Sequence, residues 1–128
     1  MAKVEIAPAS REDIKAAMRL FSGREWEIPV RVVAFAGKID GRVIGVGGIA
    51  FRPDGHRAAF CDVGEEGRSY PIALHRAALM TIAAAKKAKV KRLIATTRSM
   101  HPKSPHWLIR LGFRVETFDG GVFYVRDL

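Results

Sequence analysis

Residues 57–89 combine residue types that bind anions. A strand-like apolar run, Ala58 to Val63, leads into a loop with Gly67 and Arg68, and Pro71 then opens a long helix. The first backbone N–H groups of a helix have no intrahelical partner, and the helix dipole places partial positive charge there. Arg68 would add a full charge and a forked donor. The segment therefore predicts a binding site for a phosphate or another anion.

Acidic side chains near this segment are candidates for proton transfer. Asp62 lies at the end of the apolar run, where partial burial would shift its pKa. Glu27 could face a groove if the connection that contains it crosses the predicted sheet, and Glu25 and Glu65 are further candidates for a base. For each acid, a role at the surface or as a helix cap is the competing explanation. Cys61 lies inside the apolar run, which favours a buried small hydrophobe over a nucleophile.

Length and composition indicate one globular domain, residues 1–128. The chain is 48% hydrophobic, which argues against disorder, and it has no apolar run near the roughly 20 residues that span a bilayer. A single cysteine permits no intramolecular disulfide, which fits a reducing cytoplasm. The histidines do not form a recognised metal-ligand spacing with a carboxylate, so we expect no metal.

The formal net charge of +9 favours anionic partners. The densest basic run, Lys86 to Arg92, ends the long helix, where cations complement the helix dipole. We favour that explanation over a nucleic-acid patch, although nucleic acid stays open as a partner. We expect no membrane partner, and a homodimer is compatible with the sequence.

Periodicity and turn residues predict an α+β fold with a mixed sheet in the order β-α-β-β-β-α-β-α-β-β. Ser10 and Asp13 form a capping-box pattern at the first helix, and Asp40-Gly41 predicts a hairpin turn. The expected strands are Val4–Ala7, Val30–Ile39, Arg42–Phe51, Ala58–Val63, Arg92–Thr97, Phe113–Phe118 and Val122–Val125. In the long helix from Tyr70 to Lys89, the spacing predicts Ile72, Leu79 and Ile82 near one face.

This order, with the anion-binding segment in its middle, resembles the GCN5-related N-acetyltransferase (GNAT) superfamily. Ala7-Pro-Ala-Ser-Arg-Glu-Asp-Ile14 is similar to the family's common start, and Arg68-Ser-Tyr-Pro-Ile-Ala73 stands where the family has its pyrophosphate loop. Trp107-Leu-Ile-Arg-Leu-Gly-Phe113 looks like the late helix that ends in LGF. The resemblance covers nearly the whole chain. It is strongest to the small, divergent members often found in phage and prophage genomes.

The resemblance implies an acetyl-CoA site and a reaction. Acetyl-CoA would lie in a splay between the third strand of the meander and the next, parallel strand. An amine would attack the thioester directly, which requires positioning, a base for the amine proton and a donor for the departing thiolate. The residues implied for acetyl-CoA binding are Val63, Gly67, Arg68, Ser69, Tyr70, Ile72, Ala73 and His101, with backbone groups near Asp62 contacting the pantetheine arm.

The sequence departs from the family pattern at the residues that matter for catalysis. Ser69 and Pro71 stand where the family prefers glycine, and Pro71 removes a backbone donor. Ser69 is also expected to cap the helix. Leu108 occupies the position of the tyrosine that protonates the thiolate, and Tyr70 or Tyr124 could substitute for it.

Two functions stay open at this point. The first, which we favour, is an acetyl-CoA-dependent N-acetyltransferase that uses Asp62 or Glu27 as base and Tyr124 as proton donor, with an amine substrate that the sequence does not identify. The second is a catalytically inactive GNAT-like module that binds nucleic acid or a protein partner through its basic surface.

Overall fold

The structure, a computed structural model, describes residues 3–21, 31–96 and 104–128. The predicted elements are confirmed in type and order, with one short helix added between the fourth strand and the long helix. The strands are β1 Glu5–Pro8, β2 Arg31–Ile39, β3 Arg42–Phe51, β4 Arg57–Val63, β5 Arg92–Thr96, β6 Arg114–Phe118 and β7 Gly121–Asp127. The helices are α1 Arg11–Phe21, α2 Glu65–Arg68, α3 Pro71–Lys87 and α4 Ser104–Arg110.

The strands form one seven-stranded mixed sheet in the order β1-β2-β3-β4-β5-β7-β6. All neighbours are antiparallel except β4 and β5, because α3 connects them as a crossover. Asp40 and Gly41, with φ values of 50° and 80°, form the tight turn that joins β2 to β3. The α+β fold with a mixed sheet is therefore confirmed. Among the described residues, no helix has the length and apolar character needed to cross a membrane.

The capping box predicted at the start of α1 is present. The Ser10 amide donates to Asp13 Oδ2 and the Asp13 amide donates to Ser10 Oγ, each at 3.1 Å. Burial alone would raise the pKa of Asp13, but the bonds from Ser10 and the nearby ammonium of Lys38 outweigh it, and the pKa lies below its usual value. These local bonds fix where α1 begins on the sheet.

The helices cover the sheet on both faces. Helix α1 packs on one face, where Ile14 and Ala34 are buried together and Phe60 of β4 packs against them. On the other face, α3 and α4 contribute to the largest core cluster, which consists of Ile49, Ile82, Ala85, Val90, Leu93, Ala95, Leu108, Leu111, Phe113 and Tyr124. Because side chains alternate along a strand, even-numbered residues of β4 face α1 and odd-numbered residues face α3.

The glycines of β3 permit close approach between strands. A Cβ atom on Gly48 would lie 2.2 Å from the Val33 carbonyl oxygen, so only glycine fits there. The register changes from Gly37 opposite Gly45 to Lys38 opposite Val43. Ile44 is therefore an extra residue in β3, and this bulge lies beside the end of β4.

Candidate functional site

The central feature of the candidate site is a separation between β4 and β5. In the described part of these parallel strands, only Ala58 and Ile94 are paired. Beyond this pair, β4 continues to Val63 without a strand partner on its β5 side. The splay that the resemblance implied is therefore present, and it begins one residue after Ala58.

The backbone of β4 presents hydrogen-bonding groups to this splay. The Gly64 amide donates to the Ile44 carbonyl at 3.1 Å, and these residues continue the β3–β4 register. Hydrogen-bonded and non-hydrogen-bonded pairs alternate in antiparallel strands, so even-numbered β4 residues bond to β3. The N–H and C=O groups of Cys61 and Val63 consequently point towards the separated β5. An extended ligand in the splay could pair with these groups as a strand would.

A short helix replaces the open loop expected after β4. Helix α2 consumes amides that were expected to bind pyrophosphate: the amide of Arg68 donates to Gly64, that of Ser69 to Glu66 and that of Tyr70 to Gly67, at 3.1–3.2 Å. These three amides are therefore already used as donors within the protein, and the binding of acetyl-CoA by their residues stays a prediction. Their side chains remain at the site, and those of Arg68 and Ser69 are exposed.

The free amides lie at the start of α3. Tyr70 is the N-cap and Pro71 has no N–H, while the first intrahelical bond runs from the Leu74 amide to the Tyr70 carbonyl. The amides of Ile72 and Ala73 thus have no intrahelical acceptor, and no side chain caps the helix. Ser69 was expected to be the cap, which is wrong because it ends α2 instead. Two backbone amides, those of Ile72 and Ala73, therefore remain as anion-binding donors at the start of α3.

Gly67 positions α2 against the strand ends. A Cβ atom at this buried residue would lie 2.6 Å from the Ile44 carbonyl oxygen and 2.6 Å from a methyl carbon of Val63. Glycine is therefore required for the close packing of α2 on β3 and β4. An exposed ion pair between Arg42 and Glu66 also connects α2 to the start of β3. Gly67 therefore sets the position of α2 beside Val63, and the roles of both residues in acetyl-CoA binding stay predictions.

Cys61 was expected to be buried, and the structure corrects this. Cys61 is exposed because β5 is not paired with β4 at this residue. Desolvation by the surrounding protein raises the pKa of its thiol, Asp62 raises it further, and Arg68 lowers it. Since water reaches the residue, this desolvation is partial, but its direction keeps the thiol protonated near neutral pH. Cys61 therefore lines the splay as a neutral group.

The two described candidates for proton transfer lie on opposite faces of the sheet. Asp62 is half-buried and shares the α1 face with Phe60, whereas Tyr124 is 8% exposed and belongs to the core cluster on the α3 face. Tyr124 is paired with Ala95 of β5, so β5 separates it from the splay. The structure does not bring the two side chains together on one face.

Other sequence predictions fall differently. Glu27 and His101 lie outside the described residues. Leu108, at the position where the resemblance places a tyrosine, is buried in the same core cluster as Tyr124.

The sequence analysis did not predict helix α2, although two acids in its first turn and Arg68 in its last turn are a helical charge pattern. Within the described ranges, no group of three or more potential ligand side chains could hold a metal ion.

Comparison with solved structures identifies the fold. A GNAT family acetyltransferase from Elizabethkingia anophelis with acetyl-CoA bound has a TM-score of 0.74 and 14% identity, covering 98% of each chain. A Bacillus subtilis acetyltransferase in complex with CoA has a TM-score of 0.72 and 14% identity, covering 100% of this chain and 99% of the other. An IAA acetyltransferase from Bacillus cereus has a TM-score of 0.71 and 20% identity, covering 98% of this chain and 100% of the other.

The protein therefore has the fold of the GNAT acyl-CoA N-acyltransferases, as its sequence predicts. No protein-family model matches the sequence, and no curated protein matches it.

Proposed function

We propose that the protein is an acyl-CoA-dependent N-acyltransferase that transfers an acetyl group to an amine. The observation that carries this proposal is the splay between β4 and β5, with the unpaired backbone groups of Cys61 and Val63 beside it. The free amides of Ile72 and Ala73 follow at the start of α3. Two of the solved neighbours with this fold have CoA or acetyl-CoA bound.

The residues present fit acetyl-CoA as co-substrate. The backbone of Cys61 and Val63 would hold the extended amide-containing arm, and the amides of Ile72 and Ala73 would bind phosphate oxygens. Arg68 would supply the positive charge, since its exposed guanidinium ends α2 next to these amides. Acetyl-CoA supplies an activated acyl thioester when bound. The chain itself supplies the alignment of an amine with that group.

The reaction would require two proton transfers at different atoms. When an amine attacks the thioester, its nitrogen becomes positively charged and must lose a proton to a base. We propose Asp62 as this base, and Glu27 is a second candidate. The departing thiolate requires a proton at a different atom, for which we propose Tyr124. Tyr124 lies across β5 from the splay, so this role requires the thiolate end of the ligand to approach the side of β5 that faces β7.

Isothermal titration with acetyl-CoA tests the binding step. Arg68→Gln should weaken binding about tenfold or more, since a hydrogen bond to a charged group contributes ~1.5–3 kcal/mol. Arg19→Gln, which removes an exposed arginine from α1, is the matched control and should bind as the wild type does. No binding at millimolar acetyl-CoA would refute the proposal.

Release of free CoA in the presence of a panel of amines tests the reaction. Asp62→Asn should lower the rate with little change in acetyl-CoA affinity if Asp62 accepts the amine proton. An unchanged rate would remove Asp62 from the mechanism and leave Glu27 as the base to examine.

A further inference from the structure

A second site lies at the opposite end of the sheet from α2. It is an open pocket of about 380 Å³ between the turn that joins β3 to β4 and the connection from α3 to β5. Its lining includes five basic residues and no acidic residue; the basic residues are His56, Arg57, Lys89, Lys91 and Arg92. We call it the basic pocket. None of the groups assigned above to acyl-CoA contributes to it.

Lys89 occupies a backbone conformation that favours glycine. Its φ of 61° is left-handed, and α3 ends there in a Schellman motif: the Lys89 amide donates to Lys86 and the Val90 amide donates to Ala85, each at 3.0 Å. A lysine at this position is strained, and glycine would satisfy the same bonds without that strain. The chain therefore holds an ammonium group beside the basic pocket at a cost in stability.

The positive charge of the basic pocket is only partly neutralised. Arg92 donates to Asp127 at 2.8 Å, which offsets its charge. Arg57 lies over the Phe51 ring, 4.9 Å from its centroid, and this contact leaves its charge in place. Among the described residues, no carboxylate pairs with Lys89 or Lys91. Three cations thus remain available around one concave surface.

The geometry points to a phosphate group as the ligand of the basic pocket. Arg57 offers a planar fork of donors, and Lys89 and Lys91 add two point charges on the adjacent segment. The C-terminal end of α3 presents carbonyl groups and the negative end of the helix dipole, so cationic side chains must provide the binding. The phosphate could belong to a nucleic-acid backbone or to a phosphorylated small molecule.

Sodium tripolyphosphate is the probe for the first experiment, added to the isotopically labelled protein in low-salt buffer with saturating acetyl-CoA. Amide shifts are expected at Gly55, His56, Lys89 and Lys91. The double variant Lys89→Gly/Lys91→Gln should bind tripolyphosphate at least tenfold more weakly. Its thermal unfolding temperature should not fall by more than a degree, because glycine suits the conformation of residue 89.

The matched control is Lys15→Gln/Arg19→Gln, which removes two charges from α1 on the other face of the sheet and should change the affinity by less than twofold. Equal weakening in both double variants would show a nonspecific charge effect and overturn the assignment. No shifts at the basic pocket, or shifts confined to Ile72 and Ala73, would also overturn it. These outcomes do not depend on whether acetyl-CoA binds.

A 20-nucleotide single-stranded DNA then distinguishes the two sources of phosphate. If DNA competes with tripolyphosphate and its affinity falls steeply with salt, the pocket binds a nucleic-acid backbone. If tripolyphosphate binds and DNA does not, the ligand is a phosphorylated small molecule. Either result supports the site, and failure of both probes to bind refutes it.

Discussion

The two ends of the sheet bind anions, as we propose, by different physical means. At the end where β4 meets α2, the donors are backbone amides of Ile72 and Ala73 and the open edge of β4, with Arg68 as the one cationic side chain assigned there. Acidic residues also lie there, because Glu65 and Glu66 form the first turn of α2. At the basic pocket, helix α3 ends with its terminal bonds satisfied, and the donors are cationic side chains.

The two sites should therefore differ in ligand selectivity and in salt dependence. Backbone donors at fixed positions select a ligand by its geometry, and they respond weakly to salt because they are dipoles. Exposed lysines and arginines attract any anion of sufficient charge, and salt screens them over a Debye length of about 10 Å at 0.1 M. We therefore expect the end with α2 to be the specific site and the basic pocket to be the less selective one.

The largest expected effect comes from Gly67→Ala. Its new methyl group would lie 2.6 Å from the Ile44 carbonyl oxygen, so α2 must move, and we expect the free energy of unfolding to fall by about 1–3 kcal/mol. Acetyl-CoA binding should weaken while tripolyphosphate binding is retained. Urea denaturation and titration measure these changes. Ser69→Ala, an exposed neighbour, is the control, and equal stability of both variants would contradict the packing of α2.

Salt should act unequally at the two ends. Raising NaCl from 50 to 200 mM should weaken tripolyphosphate binding by about tenfold, which corresponds to ~1.4 kcal/mol, and acetyl-CoA binding by clearly less. Parallel titrations at the two salt concentrations measure both affinities. Equal salt dependence would mean that acetyl-CoA is held by charge alone, and the distinction between the ends would be lost.

Lys89→Gly should stabilise the protein while it weakens anion binding. Relief of the left-handed strain, less the entropy cost of glycine, should raise the free energy of unfolding by about 0.5–1 kcal/mol. Ala88→Gly is a sharp control because its φ of −80° suits any residue, so glycine there should lower stability by a similar amount. If both variants changed stability in the same direction, the strain at Lys89 would be absent.

The smallest expected effect comes from Asp127→Asn. Asp127 accepts hydrogen bonds from Arg92, which has the larger effect, and from Arg114, and both lower the pKa of the Asp127 carboxyl below its usual 3.8. Because the folded-state pKa is depressed, the stabilisation is present above about pH 4 and is lost as the pH falls through the lowered pKa. Asp127→Asn should therefore be slightly less stable than the wild type at pH 7 and equally stable in strong acid.

The same variant releases Arg92, so tripolyphosphate affinity should rise by less than threefold. Asp119→Asn makes the same chemical change in the turn between β6 and β7, away from the lining of the basic pocket, and should leave tripolyphosphate affinity unchanged. A larger effect from Asp119 than from Asp127 would refute the electrostatic role of the ion pairs.

The sequence predicted the features that depend on neighbouring residues. The Ser10–Asp13 capping box and the Asp40-Gly41 turn both follow from bonds and dihedral angles within a few residues. The order of the elements along the chain followed as well, but the place of β7 between β5 and β6 in the sheet was not predicted.

The features that the sequence did not predict depend on distant parts of the chain. Ile72, Leu79 and Ile82 were expected near one face of α3, but Ile72 and Leu79 are 78% and 50% exposed while Ile82 is buried. Because α3 is apolar on most sides, periodicity could not select its buried face. Cys61 was misassigned for a similar reason: only the course of β5, far along the chain, decides whether β4 is covered there.

The separation of β4 from β5 also has a consequence for the cooperativity of folding. Strands β1 to β4 form one antiparallel block and β5, β7 and β6 form another, and the described backbone joins the blocks only at Ala58 and Ile94. Partial opening of a protein tends to follow such boundaries. Hydrogen exchange should therefore report two subglobal units, held together mainly by the helices that span them, with the amides of Cys61 and Val63 exchanging faster than their neighbours.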